Sequence, residues 1–324
     1  MNAQSQAQQD TRSRTNTEKK IDSVFIGLTK IFGWGIAAVL ILMALTVAWR
    51  SIPAINEFGL SFLLKSAWNP VANDGNGDYG AWPMIIGTLV SSAMALIIAV
   101  PLGVGTAIFL SENFIPPKIS TPLTFMVELL AAIPSVVYGL WGIYVLIPFL
   151  QPIEKFLGNY FGWLPIFALP EGVRAGGPGM FPAGIILSVM ILPIITAIAR
   201  DSLASLPPDL RQASLGLGAT RWGTIIRVLI PAAFSGIVGG IMLGLGRAMG
   251  ETMAVTMLIG NANSIKPTLF APANTIASLM ANQFAEASGL QLSALMYAGV
   301  VLFILTLLVN ILADWIVNQV KAKY

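Results

Sequence analysis

Two opposite charges lie inside an apolar, glycine-dense stretch of this sequence, Ile237–Val255. Arg247 and Glu251 are four residues apart, a spacing that places them on one face of a helix and within reach of each other. Charged side chains in hydrocarbon are costly and usually face a protein interior or a water-filled path. The planar guanidinium group of arginine can donate two parallel hydrogen bonds to the oxygens of an oxyanion. The pair is therefore a candidate anion-contacting site, with a self-neutralising ion pair as the alternative.

The composition places most of the chain in a membrane. Hydrophobic residues make up 56% of the 324 residues, charged residues make up 10%, and the mean hydropathy is +0.77. One soluble core cannot cover so much apolar surface. Uncharged apolar runs of about 18 or more residues satisfy their backbone groups in hydrocarbon only as helices. We predict an all-α integral membrane protein. The absence of Cys and His excludes thiolate and imidazole chemistry.

Six apolar runs predict six transmembrane helices, at about residues 24–49, 81–110, 123–150, 181–199, 232–260 and 292–317. Residues 1–23 are polar and are predicted to form a disordered cytoplasmic tail ahead of a transmembrane domain at 24–320. The predicted connections are external loops at 50–80, 151–180 and 261–290 and a cytoplasmic loop at 200–231.

The basic residues orient this topology with both termini in the cytoplasm. Most lysines and arginines then lie inside, as positive charge does in membrane proteins. Five fall in the external segments: Arg50, Lys65, Lys155, Arg174 and Lys266.

Other polar side chains in the predicted spans are weaker candidates for lining a path. Glu128 is near the inner end of the third span, and Pro134 interrupts that span with a kink beside Ser135 and Tyr138. Kinks of this kind line cavities in some proteins, although neighbouring helices commonly satisfy the freed backbone. Thr88 and Ser91 in the second span are likewise weaker candidates for lining a path.

The cytoplasmic loop reads as two short helices joined by a glycine turn. Pro208 suits the first turn of a helix, Gly218 supplies a break, and Thr220 is placed to cap a second helix over 221–229. Pro231 then begins the fifth span. A pair of amphipathic interfacial helices is the alternative.

This loop resembles the EAA loop of ABC importer permeases. The usual pattern is E-A-A, three residues, G, nine residues, I-x-L-P. The chain has Gln212-Ala213-Ser214, then Gly218, then Val228-Leu229-Ile230-Pro231. Gln212 replaces the leading Glu, which weakens any ion-pair role there. The resemblance implies a coupling helix that docks on a separate ATPase subunit.

Three longer segments narrow the resemblance: 79–92, 127–142 and 239–261 are similar to the PstC-type permeases of phosphate-specific ABC importers. This implies a type I importer permease, N-in and C-in, in the bacterial inner membrane, with inorganic phosphate as substrate. The implied partners are a PstA-type permease as heterodimer partner, a PstB-type ATPase dimer and an external PstS-type phosphate-binding protein. ATP and Mg²⁺ then belong to the ATPase, and no cofactor is expected on this chain.

The sequence also limits the alternatives. No Gly-Lys dipeptide is present, so the chain has no phosphate-binding P-loop of its own. An importer for another oxyanion remains open. A secondary, ion-coupled anion carrier is less favoured, because paired half-sequences with broken helices are not recognisable.

Overall fold

The computed structural model describes residues 16–71, 77–112, 114–169 and 172–321. These residues form twelve α-helices and one two-stranded ribbon. The long helices are α1 (Asn16–Phe58), α2 (Trp82–Ser111), α6 (Met180–Ala204), α9 (Ile230–Gly250) and α12 (Gly289–Lys321). The shorter ones are α3 (Pro117–Ala131), α4 (Ser135–Trp141), α5 (Ile147–Phe161), α7 (Pro208–Gly216), α8 (Arg221–Thr224), α10 (Met253–Leu258) and α11 (Ile276–Gln283). Strands β1 (Trp68–Asn69) and β2 (Asp78–Tyr79) pair antiparallel.

Six helical stretches are long and apolar enough to cross a membrane, which confirms the predicted six-span, all-α class. Within the described residues they are Lys20–Leu63, Trp82–Ser111, Ser135–Phe161, Met180–Ala204, Arg221–Gly250 and Gly289–Gln319. Two of them include segments of π-helix, Gly142–Leu146 and Ile225–Leu229. The chain is therefore a multi-pass membrane protein.

The chain divides into two compact units at residue 50. The described part of the first unit is the beginning of α1, and its apolar side chains, such as Trp34 and Trp49, are exposed. This agrees with a helix that faces lipid. Because α1 begins at Asn16, residues 16–23 of the predicted disordered tail are helical. Residues 1–15 of that prediction lie outside the described residues.

The second unit, Ser51–Tyr324, contains the packed core. Helices α2, α6 and α9 meet over small residues, as their sequence spacing predicts. A Cβ atom added to Gly236 would lie 2.0 Å from the Ser202 Oγ, and one added to Gly244 would lie 3.0 Å from the Ile195 side chain. Glycine thus lets α9 approach α6 closely.

The predicted third span, 123–150, is wrong at both ends. Helix α3 ends at Ala131, and a new helical stretch runs from Ser135 to Phe161. The break occurs because Pro134 has no N–H to donate and disfavours helix for the residue before it. The Tyr138 hydroxyl donates to the Leu130 carbonyl at 2.8 Å, which satisfies part of the interrupted helix end. Residues 151–161 of the predicted external loop are consequently helical.

The predicted fifth span, 232–260, is also two pieces. Helix α9 ends at Gly250, and α10 follows after Glu251 and Thr252. At the inner side the span is longer than predicted, since helix is continuous from Arg221. The predicted loop helix over 221–229 is therefore part of the span itself. In the predicted external loop 261–290, α11 begins at Ile276 and is capped by Thr275 in a capping box that includes Ser278.

Candidate functional site at the two ends of one helix

Arg247 lies near one end of the helical stretch Arg221–Gly250, and the EAA-like loop leads into its other end. At 1.5 Å per residue, its 30 residues span about 45 Å. Pro231 has no N–H for the helical ladder, and a π-helical segment, Ile225–Leu229, immediately precedes it. Such segments commonly mark functional positions in helices. The stretch thus joins the cytoplasmic loop to Arg247 without an intervening linker.

At the outer end, Arg247 lies in the last turn of α9 and is exposed. A cation at this position is favoured by the partial negative charge of the helix C-terminus. Gly246 and Gly250, on either side of it, have nothing within 4 Å of an added Cβ. The guanidinium therefore borders open space in this chain.

The predicted helical pairing of Arg247 with Glu251 is wrong. Glu251 is the C-cap of α9, and its ψ of 126° turns the chain out of the helix after it. Within the described part of the chain, no ion pair joins the two. The Glu251 carboxylate instead accepts from the Ala254 N–H at 3.3 Å. It satisfies one of the unpaired N–H groups at the start of α10.

The break after α9 is held by packing against α4. An added Cβ on Gly139 would lie 2.5 Å from the Met257 sulfur, and one on Gly142 would lie 2.5 Å from Leu258. Gly139 in α4 and Gly142 in the π-helical segment that follows it therefore let α10 lie close against this stretch. In the sequence, this close packing is indicated only by the glycines themselves, and nothing there shows which segment packs against them.

Tyr138 is the weaker candidate with a connection to Arg247. Its side chain is largely buried, and its hydroxyl lies within the electrostatic range of the Arg247 charge. Ser135 begins α4 and is partly exposed. Contact of either residue with a substrate stays a prediction.

Glu128 lies elsewhere, in α3, which is not among the six candidate spans. Its carboxylate is 3.3 Å from Arg200 at the end of α6, and Arg200 also pairs with Asp201 at 2.7 Å. This places Glu128 at an inter-helix ion pair rather than beside Arg247.

Thr88 and Ser91 are buried inside the fold. The Thr88 hydroxyl donates to the Met84 carbonyl at 2.8 Å and accepts from the Ile276 N–H at 3.1 Å, which fixes the start of α11. The Ser91 hydroxyl donates to the Thr88 carbonyl. Their position gives no support to a role in lining a path.

At the inner end, α7 stops in a complete Schellman motif. Gly218 has φ +84°, a left-handed conformation that favours glycine. Its N–H bonds to the Leu215 carbonyl, and the Ala219 N–H bonds to the Ser214 carbonyl. Thr220 then caps α8 by accepting from the Gly223 N–H at 3.1 Å. The predicted glycine turn and threonine cap are confirmed.

The EAA-like residues divide between an exposed and an inward set. Gln212 and Ala213 are exposed on α7, and Leu217 at its end is 90% exposed. Ser214 faces inward, where its hydroxyl lies 2.9 Å from that of Thr224. The loop therefore exposes polar and apolar side chains at its surface, while a hydroxyl contact joins its two helices.

A charged cluster at this end was missed in the sequence. The Arg211 guanidinium binds the Glu112 carboxylate, with the shortest contact at 2.8 Å, and Glu112 is 8% exposed. Arg221 donates to the Glu112 carbonyl and stacks 4.3 Å from the Phe114 ring centroid. Glu112 follows α2 and is 99 residues from Arg211, so no local pattern could have paired them.

Comparison with known proteins assigns the chain to a family. A family profile described as "Binding-protein-dependent transport system inner membrane component" matches residues 99–324. The phosphate transport system permease protein PstC of Pasteurella multocida is 42% identical over 316 residues, 97% of each protein. That of Haemophilus influenzae is 41% identical over 93% of this chain and 94% of its own length. PstC 2 of Mycobacterium tuberculosis is 40% identical over 86% of each.

Solved structures agree on the fold. An inward-facing MetNI methionine ABC transporter aligns with a TM-score of 0.51 at 21% identity, over 74% of this chain and 94% of its own. A bacterial ABC transporter for import of the acidic polysaccharide alginate aligns with a TM-score of 0.51 at 17% identity, over 73% and 78%. The chain belongs to the binding-protein-dependent transport system inner membrane components, and within them to the PstC-type permeases.

Proposed function

We propose that this chain is one of two permease subunits of an ATP-driven importer of inorganic phosphate, and that a PstA-type permease completes the path. The observation that carries the proposal is Arg247, an exposed arginine in an apolar membrane helix beside an open glycine surface. Several relatives of about 40% identity are named as phosphate transport permeases, which supports the choice of anion.

Arg247 is suited to transient binding of phosphate. Its planar donors match two oxygens of the anion, and a site of low dielectric strengthens that contact. A transport path must also release its ion, so weak binding by a single arginine that is not held in an ion pair is appropriate. Glu251 lies nearby in sequence and limits the positive field at this end of the helix. The roles of both residues follow from position and chemistry.

At the inner end, a PstB-type ATPase dimer docks on the coupling loop. The residues involved are the exposed face of α7, with Gln212, Ala213 and Leu217, and the turn at Gly218 that aims it. Ser214 and Pro231 position this loop on the span. ATP and Mg²⁺ are held by the ATPase. Closure of the dimer moves α7 and switches the path to outward access, where a PstS-type binding protein delivers phosphate.

Reconstitution tests the substrate and the energy source together. The chain, a PstA-type permease and a PstB-type ATPase are placed in vesicles and supplied with a PstS-type protein. We expect phosphate uptake that requires ATP and the binding protein. Transport of sulfate or molybdate in place of phosphate would favour an importer of another oxyanion. Gradient-driven uptake by the purified chain alone would establish a secondary carrier instead.

Co-purification tests the coupling loop. We expect the native chain to carry a second permease and an ATPase through purification, and Gly218→Pro to lose the ATPase while it retains the permease. Gly216→Ala serves as the control, because Gly216 lies in α7 with open space around it. Isolation of the native chain as an active homodimer without an ATPase would overturn the proposal.

A further inference from the structure

Arg211, the residue before Gln212, is bonded to the ends of two membrane helices. Its Nε and Nη2 donate to the Glu112 carboxylate that follows α2, with Nη2 at 2.8 Å. Nη2 also donates to the Leu203 carbonyl at 2.8 Å, in the last turn of α6, and Nη1 donates to the Leu206 carbonyl at 3.1 Å, two residues after α6 ends. One guanidinium on the coupling helix α7 therefore holds α2 and α6.

A second arginine closes the cluster from the other half of the loop. Arg221 at the start of α8 donates to the backbone carbonyl of Glu112 and lies over the ring of Phe114. The hydroxyls of Ser214 and Thr224 join α7 to α8. Both helices of the coupling loop thus contact the end of α2.

The chemistry of helix ends explains why arginine is needed here. The last carbonyls of a helix have no partner within it, and a cation at this end is also favoured by the helix dipole. The flat guanidinium reaches a carboxylate and two carbonyls at once, which a lysine ammonium does not match in geometry. Because Glu112 is buried, water does not readily replace these bonds.

We propose that Arg211 is a positioning residue that forces α2 and α6 to move with α7 when the ATPase closes. The proposal rests on the proposed function, in which α7 is the surface that the ATPase moves. Gln212 carries no charge and is exposed. The charge lies instead on the neighbouring Arg211, whose side chain points inward to the membrane helices. Without Arg211, α7 still moves with the ATPase, but α2 and α6 do not move with α7. ATP is then hydrolysed without transport.

The test is the number of phosphates carried per ATP hydrolysed in the reconstituted importer. With Arg211→Gln we expect the ATPase rate to hold while the ratio falls about tenfold or more, and with Arg211→Lys we expect a smaller fall. Glu112→Gln should act in the same direction. Lys118→Gln, which removes an exposed cation from the first turn of α3, should leave the ratio within about twofold. An unchanged ratio in Arg211→Gln would overturn the proposal, as would a proportional loss of both rates.

A distance measurement tests the same idea without phosphate. The chain has no cysteine, so spin labels attach only at introduced sites. Asp209→Cys on α7 and Leu102→Cys on α2 are both exposed. In the assembled complex we expect one narrow distance with and without ATP, and a broad or shifted distribution once Arg211→Gln is added. A distribution unaltered by Arg211→Gln contradicts the proposal even if the substrate is another anion. If neither Arg211 variant assembles, Arg211 acts in folding alone and the proposal is overturned.

Discussion

The two ends of the helical stretch Arg221–Gly250 hold their charges in opposite ways. At the inner end, Glu112 and Arg211 are 8% and 22% exposed and are joined by direct hydrogen bonds. At the outer end, Arg247 is exposed, and no ion pair between it and Glu251 is found in the described segments. Charge is held in hydrogen bonds at the inner end and is exposed at the outer end, where the proposed function has an anion pass.

The difference in strength is physical. A helix terminus stabilises an exposed cation by only about 0.3–1 kcal/mol, so the outer arginine remains free to bind a ligand. Hydrogen bonds to charged groups contribute about 1.5–3 kcal/mol each, so the inner cluster resists rearrangement. Under the proposed function, one chain thus uses arginine both to bind a ligand and to hold helices together.

The largest expected effect comes from removing the outer charge. Arg247→Gln should lower the initial rate of ATP-driven phosphate uptake about 100-fold, because the charge-assisted contact with the anion is lost. Arg247→Lys keeps the charge without the fork and should lose about tenfold. Uptake of radiolabelled phosphate, normalised to assembled complex, measures both. An Arg247→Gln rate near that of the native chain would remove the outer end from the path.

Breaking the inner pair should act on stability instead. Glu112→Ala leaves Arg211 without its carboxylate and should lower the free energy of unfolding by about 2 kcal/mol. The exposed pair of Lys65 with Asp78 provides the control, because its side chains are 46% and 30% exposed and Asp78→Asn should cost less than about 1 kcal/mol. Denaturation of the purified protein in detergent compares them. Equal losses would contradict the distinction between buried and exposed pairs.

The packed and open faces of α9 can be compared through its glycines. Gly244→Val places methyl groups against Ile195, 3.0 Å from an added Cβ, and should destabilise the fold by about 1–3 kcal/mol. A Cβ added at Gly246 meets nothing within 4 Å, so Gly246→Val should leave the unfolding midpoint nearly unchanged. Thermal unfolding of the two variants checks this. A matching drop for Gly246→Val would mean that the outer face is covered.

The smallest expected effect is at the turn of the coupling loop. Gly218→Ala forces a left-handed backbone on alanine, which costs about 1–2 kcal/mol. Gly216→Ala lies in α7 and should stabilise it by up to about 1 kcal/mol, since alanine is the better helix former. Opposite shifts of the unfolding midpoint are the expected result. Shifts of the same sign would show that the Schellman turn does not determine the geometry of this end.

Local signals were sufficient for part of this picture. Long apolar runs located the spans, because a helix in hydrocarbon needs nothing beyond its own residues to satisfy its backbone. The turn at Gly218 and the cap at Thr220 were also predictable, since each is a property of a few consecutive residues.

The outer helix break and the inner cluster depend on distant contacts. At Pro134 the sequence predicted a kink, and the helix instead ends there, because proline has no N–H and disfavours helix for the residue before it. At Glu251 the chain leaves the helix, and α10 packs against Gly139 and Gly142. Arg211 and Glu112 are 99 residues apart in the sequence, and nothing in their spacing indicates a pair.

The length of the stretch Arg221–Gly250 has a mechanical consequence. A rigid rod of about 45 Å that tilts by about 5° at its inner end displaces its outer end by about 4 Å. That displacement exceeds the reach of a hydrogen bond, whereas the ties near the pivot are barely strained. Under the proposed function, a movement small enough to leave the Arg211 cluster intact is therefore large enough to bring Arg247 to an anion or to withdraw it. For a given tilt at the inner end, the length of the helix determines how far its outer end moves.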